Sequence, residues 1–218
     1  MPRAVTPMEY FTAKPEWTGE TAFILAGGPS AEQYKPFDCL RGRRVVAINS
    51  SWTDVPFADV LYFGDRRWWH EHAKFAMDGF KGRIITTAPN VEQHKRILRM
   101  KKESPPGLSD DRQALRMRRT SLSGAINLVM HFGVNRIVLI GADGKSDGAR
   151  THHHKPHPWP QKVDCWKEQR IDLESIRKPL KKSGIQVLNA SPGSAYEFWP
   201  IVTLYQAIES IQCLQRCA

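Results

Sequence analysis

Four histidines fall within six residues in Thr151-His152-His153-His154-Lys155-Pro156-His157. Histidine titrates near neutrality without help, so such a run can supply a general acid or base. Imidazole also suits zinc, copper, iron and nickel. Adjacent residues of an extended chain point in different directions, and neither H-x-x-x-H nor H-E-x-x-H spacing is present. Metal binding is therefore the least favoured use, behind an exposed polar tract. Pro156 keeps Lys155 extended, so His154, then His152, is the acid/base candidate. The loop spans 144–161 and directly follows Arg136-Ile137-Val138-Leu139-Ile140-Gly141-Ala142-Asp143, the clearest strand pattern in the chain. Loops placed this way carry function.

A second chemical feature is Phe23-Ile24-Leu25-Ala26 running into Gly27-Gly28-Pro29-Ser30. A short apolar run stopped by glycines predicts a buried strand opening into a tight turn. Glycines there let backbone N–H groups approach a ligand. Ser30 with Gln33 has the spacing of a capping box at the start of a short helix. Strand, glycine turn and helix start together make an anion site suited to phosphate. The plainer reading is an ordinary strand-to-helix turn, because the full dinucleotide and P-loop fingerprints are absent.

The elements that must hold these groups read as an alternation. Further strands are predicted at Arg44–Asn49, Asp59–Asp65, Arg83–Thr87 and Ile185–Asn189. Helices are predicted at 66–80, 121–132 (closed by Gly133 at C′), 164–182 and about 200–213. That order implies βαβ units: an α/β fold, Rossmann-like, with a mostly parallel sheet flanked by helices in a single domain over 1–218. Strand ends carry Gly27, Asn49, Asp65, Asp143 and Asn189, and ligands sit at the carboxyl ends of such sheets. Residues 95–119 break the pattern. They hold nine Lys and Arg residues around Pro105-Pro106-Gly107. This reads as a mobile basic insertion: a lid over a phosphorylated substrate, a grip on a nucleic-acid backbone, or a solvated loop.

Composition bounds the classes. The chain has 218 residues, 41% hydrophobic, with a formal net charge of +10. The charge suits a polyanionic or phosphorylated partner, or solubility alone. No apolar run nears the roughly 20 residues of a membrane span. No secretory h-region is visible at Met1–Pro7. Cys39, Cys165, Cys213 and Cys217 are scattered, which reads as reduced thiols. The expected location is the cytoplasm.

Several of these segments together resemble a family. Leu25-Ala26-Gly27-Gly28-Pro29-Ser30 is similar to the Gly-Pro-Ser opening of bacterial sialyltransferases of the Campylobacter lipooligosaccharide type. It is also similar to the opening of the MptE-like family, which includes archaeal 6-hydroxymethylpterin diphosphokinases and Maf-type flagellin glycosyltransferases. Ala47-Ile48-Asn49 resembles their second strand. Thr120-Ser121-Leu122-Ser123-Gly124-Ala125 resembles their Ser-Gly helix, and Gly141-Ala142-Asp143 their strand ending in Gly-x-Asp. Asn189-Ala190-Ser191-Pro192-Gly193-Ser194 with Phe198-Trp199-Pro200 resembles their C-terminal segment. The whole layout, His-rich loop included, also resembles phage and prophage products. Gly27 stands where those sialyltransferases carry Asn. Their phosphate-holding tyrosine pair has no match here, and 95–119 has no counterpart.

The resemblance implies a transferase using a nucleotide-activated donor, most of all a nucleotide sugar in a sialyltransferase-like glycosyl transfer. It implies nucleotide contacts from Gly27, Gly28, Pro29, Ser30, Asn49, Asp65, Ser121, Ser123 and Gly124. Asp143 would orient a sugar or ribose hydroxyl, and His154 or His152 would move the proton. No cofactor beyond the donor is required. One rival is an ATP-dependent pyrophosphokinase-like enzyme with Mg²⁺ on carboxylates such as Asp65 or Asp143. The other is a non-enzymatic nucleic-acid-binding protein using 95–119 and the seven tryptophans.

Overall fold

The computed structural model describes residues 9–91, 94–148, 150–155 and 165–216, side chains at 212 and 214–216 apart. Residues 156–164, His157 among them, and Cys217 lie outside the described residues. Seven strands form the main sheet: β1 (Thr21–Leu25), β2 (Arg44–Ile48), β3 (Val60–Phe63), β4 (Arg83–Thr86), β5 (Ile97–Arg99), β8 (Arg136–Ile140) and β9 (Gln186–Asn189). Their order is β5-β4-β3-β2-β1-β8-β9, with every pair parallel. The helices are α1 (Arg66–Gly79), α2 (Ser121–His131), α3 (Cys165–Lys182) and α4 (Leu204–Arg216). The expected α/β sheet flanked by helices is what forms.

Period-2 alternation sorts the strand side chains between two apolar layers. Ile24, Val46, Tyr62, Ile137 and Leu139 face α2 and α3, packing with Leu122, Ile126, Val129, Leu173 and Ile176. Phe23, Leu25, Val45, Leu61, Val138 and Ile140 face the other way, among Trp68, Ala76, Leu204 and Ile208. Both faces being covered explains why the strands read as continuous apolar runs. The chain winds outward from β1 through β2, β3, β4 and β5, then returns to the other side of β1 as β8 and β9. The sheet therefore has a topological switch point between β1 and β8.

Two local expectations change and one holds. The Ser30–Gln33 capping box does not form. Gly28 is the N-cap of a six-residue 3₁₀ helix (Pro29–Tyr34), with Pro29 at its start, and it provides no side-chain cap. Gln33 instead donates to the Ser30 carbonyl at 2.8 Å. The reciprocal box sits at Thr203 and Gln206: the Gln206 amide donates to Thr203 Oγ1 at 3.1 Å, and the Thr203 amide to Gln206 Oε1 at 2.8 Å. Hence α4 starts at Leu204 rather than near 200; Ile201 is still bridged to Asn189 of β9. Gly133 follows α2 at φ 86°, the C′ conformation its position predicts.

The basic stretch differs most. Within 95–119, β5 joins the main sheet, while β6 (Lys101–Glu103) and β7 (Ala114–Arg116) pair in a separate two-stranded parallel ladder. Met100, Leu108, Ala114, Leu115 and Met117 are buried. Three of its cations bind protein groups within the fold: Arg96 donates to the Met77 and Phe80 carbonyls, Arg99 to the Val91 carbonyl at 2.9 Å, and Arg116 pairs with Glu103 at 2.9 Å. The segment is an anchored part of the fold, not a solvated insertion. Its anchors are spaced irregularly, so neither period 2 nor period 3.6 shows in the sequence.

Gly124 in α2 gives a stability test. An exposed mid-helix Gly→Ala change gains about 1 kcal/mol. Here a Cβ would lie 2.3 Å from Tyr62 Oη and 2.9 Å from its Cζ. Tyr62 is fully buried and its hydroxyl is bonded to Thr87 Oγ1 at 2.9 Å, so it cannot yield cheaply. Gly124→Ala is expected to reverse the sign and destabilise by about 1–3 kcal/mol, the range for overpacked cores. Urea unfolding of the two proteins decides it; a stabilised variant would contradict this packing.

Candidate functional site

A cleft of about 660 Å³ opens at the carboxyl ends of the strands, over the switch point between β1 and β8. Its lining includes Gly27 and Gly28 beyond β1, Asn49 beyond β2, Asp65 beyond β3 and Asp143 beyond β8. Ser121, His152 and His154 also face it. The volume lies within the range usual for small-ligand sites.

The two glycines answer to protein before any ligand. A Cβ at Gly28 would fall 1.8 Å from Asp143 Oδ2 and 2.4 Å from the Gly141 carbonyl. A Cβ at Gly27 would meet His152 Cδ2 at 2.9 Å and His154 Nε2 at 3.1 Å. The Gly28 amide donates to Gly141 O at 2.8 Å. Ser30 donates from Oγ to Asp143 Oδ2 at 3.0 Å, with its amide at 3.4 Å from the same atom. Thus Ser30 serves Asp143, not a helix cap. Asp143 is only 6% exposed. Burial pushes its carboxyl above the ordinary range, opposed by the Ser30 hydrogen bonds and by the charges of Lys145 and His153.

The other sequence candidates divide. Asn49 stands at φ 52°, and its buried Oδ1 has no hydrogen-bond partner. Asp65 caps α1 by accepting from the Arg67 amide at 2.8 Å and pairs with the Arg67 guanidinium at 3.0 Å. Ser121 lines the cleft, but Ser123 and Gly124 lie beneath it. Ser123 Oγ turns back to the Thr120 carbonyl at 3.0 Å, and Gly124 faces the Tyr62 ring. Thr120, not a serine, caps α2, accepting from the Leu122 amide at 3.1 Å. Pro29 is buried as the first residue of the 3₁₀ helix.

The basic stretch, expected as a lid over a phosphorylated substrate among other readings, brings Lys102, Arg118 and Arg119 to the cleft lining. Lys145, Trp166 and Tyr196 also line it, and sequence reasoning missed them. Arg119 pairs with Glu168 at 2.9 Å. The loop carrying Arg118 and Arg119 is fixed by Asp172 of α3, whose Oδ2 accepts from their amides at 3.2 and 2.8 Å. Asp172 is buried on the stripe Asp172, Ile176, Leu180. An acid on an apolar stripe was the available signal.

Carboxylate-held Mg²⁺ does not fit the residues present. Asp65 is taken by Arg67 and Asp143 by Ser30. Among the described residues, no three His, Cys, Asp or Glu side chains could together hold a metal. No described helix is long and apolar enough to cross a membrane.

No family model matches the chain, and no curated protein matches it in sequence. Among solved structures it is similar to the sialyltransferase CstII from Campylobacter jejuni in complex with the substrate analogue cytidine-5'-monophosphate. That match has a TM-score of 0.52 and 11% identity, covering 85% of this chain and 86% of the other. A tyrosine-to-phenylalanine variant of CST-II in complex with CMP gives a TM-score of 0.48 at 12% identity over 84% and 86% of the two chains. The fold is thus sialyltransferase-like.

Asp143 makes a pH prediction. Its folded-state pKa lies above the unfolded one, so the native state holds the extra proton in the window just above the ordinary carboxylate value. Its contribution to stability falls as pH rises through that window. Asp143→Asn removes the titration. The stability difference, variant minus wild type, is expected to increase from about pH 4 towards neutrality and then level off. Denaturant midpoints at several pH values measure it; a difference that shrinks over that range would reverse the sign assigned to burial.

Proposed function

We propose that this protein is a transferase that takes a nucleotide-activated donor, foremost a nucleotide sugar. The observation that supports it is the convergence, at the switch point, of cations, an unpaired amide oxygen and two histidines in one cleft. CMP accompanies the similar fold in the solved sialyltransferase, which agrees with a nucleotide ligand.

In this reading Lys102, Arg118 and Lys145 meet the donor phosphate. Charged donors suit a polyanion in a partly dehydrated cleft. Asn49 Oδ1 is an acceptor in want of a donor, which a ribose or sugar hydroxyl supplies. The Ser30–Asp143 pair orients a hydroxyl of the transferred group. His154 or His152 takes the acceptor's proton or gives one to the leaving phosphate. Gly27 lets both rings reach the reacting centre, since any side chain there would collide with them.

The test separates binding from chemistry. Calorimetry against CMP and a panel of nucleotide sugars should reveal a ligand. Arg118→Gln or Lys102→Gln is expected to weaken it by about 10–100-fold, the loss of a charged hydrogen bond. His154→Ala or His152→Ala is expected to lower turnover by about 10²–10⁴-fold with donor affinity nearly intact. If no nucleotide binds, or both histidine variants keep full turnover, the reading is wrong.

A further inference from the structure

We infer that His153 is a buried imidazolium, clamped between Asp54 and the end of β1, that holds His152 and His154 in the cleft. It is a positioning residue for the site proposed above. Its purpose rests on that functional reading; its charge and its contacts do not.

The His153 side chain is fully buried. Its Nε2 lies 3.0 Å from the Ala26 carbonyl oxygen and 3.2 Å from Ser51 Oγ. A carbonyl only accepts, so Nε2 carries a proton. On the other side Nδ1 lies 3.0 Å from Asp54 Oδ2. The two atoms are not aligned as a hydrogen bond; among the described residues Nδ1 has no other partner, while Asp54 Oδ2 also has Lys35 Nζ at 3.4 Å. A bare nitrogen lone pair held against a carboxylate oxygen at that distance would be repelled, so the second proton belongs there too. Burial alone would push the Asp54 carboxyl up, but His153 and Lys35 outweigh it and leave it below the ordinary range. Independently of His153, Lys35 Nζ stands 3.4 Å from the same Asp54 oxygen and favours its ionised form, and a carboxylate accepts only.

The backbone of the same residue is tied as well. The His153 amide donates to the Gly27 carbonyl at 2.9 Å, and Lys35 Nζ donates to the His153 carbonyl at 3.1 Å. Lys35 also reaches Asp54 Oδ2 at 3.4 Å. The chain bends at residues 153 and 154, so ties on the side chain, amide and carbonyl of residue 153 set where its two neighbours stand. His152 and His154 both face the cleft, their ring centroids 4.8 Å apart. The one histidine of the three that never reaches the cleft is the one that fixes where the other two stand.

Nitrogen-15 NMR of histidine-labelled full-length protein tests this without an assay. One histidine should show both ring nitrogens protonated at neutral pH, with slowly exchanging ring protons, and His153→Gln should remove that signal. Asp54→Asn should convert it to a neutral tautomer and shift the His152 and His154 signals; Asp54→Glu should restore them. A neutral His153 in the wild type, or flanking signals unmoved in folded Asp54→Asn, overturns the proposal. Should Asp54→Asn not fold, the wild-type spectrum still decides the charge. Lys35→Met then tests the tether, and unmoved His152 and His154 signals count against it. Calorimetry with CMP on the wild type keeps the two readings apart. No CMP binding beside an intact imidazolium sinks only the transferase. CMP binding beside a neutral His153 sinks only the clamp.

Discussion

The site depends on how closely the ends of β1 and β8 approach. The Gly28 amide reaches Gly141 O at 2.8 Å, and the Asp143 carboxylate occupies the space a Gly28 side chain would need. Gly141 itself stands at φ 68°, and a Cβ there would meet Ala26 O at 2.7 Å and the Gly28 backbone at 3.1 Å. Two parallel neighbours from opposite windings of the sheet are pressed together at the point where a crevice must open. Ser30, Asp143 and the histidine loop take their places from that contact.

Charge in the cleft is supplied from outside the sheet. Asp172 of α3 holds the loop that presents Arg118 and Arg119, and β6 carries Lys102. Both depend on the anchoring of 95–119 by Met100, Leu115 and Met117. Arg96 and Arg99 bind carbonyls within the fold and keep the segment in place, while Lys102, Arg118 and Arg119 line the cleft, Arg119 paired there with Glu168. One stretch therefore has two electrostatic roles, divided by which way each side chain points.

The histidine loop shows the same economy. A buried charge is tolerated only when it is paired. The pair of His153 with Asp54 fixes a bent segment that lies in no helix or strand. The chain can thus present two imidazoles on an irregular loop with the geometry usually reserved for regular elements.

Strands, helices and strand-end residues were legible because hydrophobic periodicity is local: Ile137–Ile140 or Val45–Ile48 announce themselves within a few residues. The candidate cleft residues Gly27, Asn49, Asp65 and Asp143 could be named because parallel strands put their carboxyl ends on one edge; Gly28 came from the glycine turn and Ser121 from the family resemblance. The Ser30–Gln33 cap was misread because Asp143, more than a hundred residues away, takes the Ser30 hydroxyl as a donor, where a cap needs it to accept from a local amide. Ser123 and Gly124 share a motif with Ser121, yet helical rotation turns them under the cleft. The basic stretch concealed a strand and a ladder, since its apolar anchors follow no period. Sequence by itself determined the alternation of elements and the identity of the groups at their ends. Tertiary structure decided which of those groups face a ligand and which face one another, because that choice rests on contacts between residues distant in the chain.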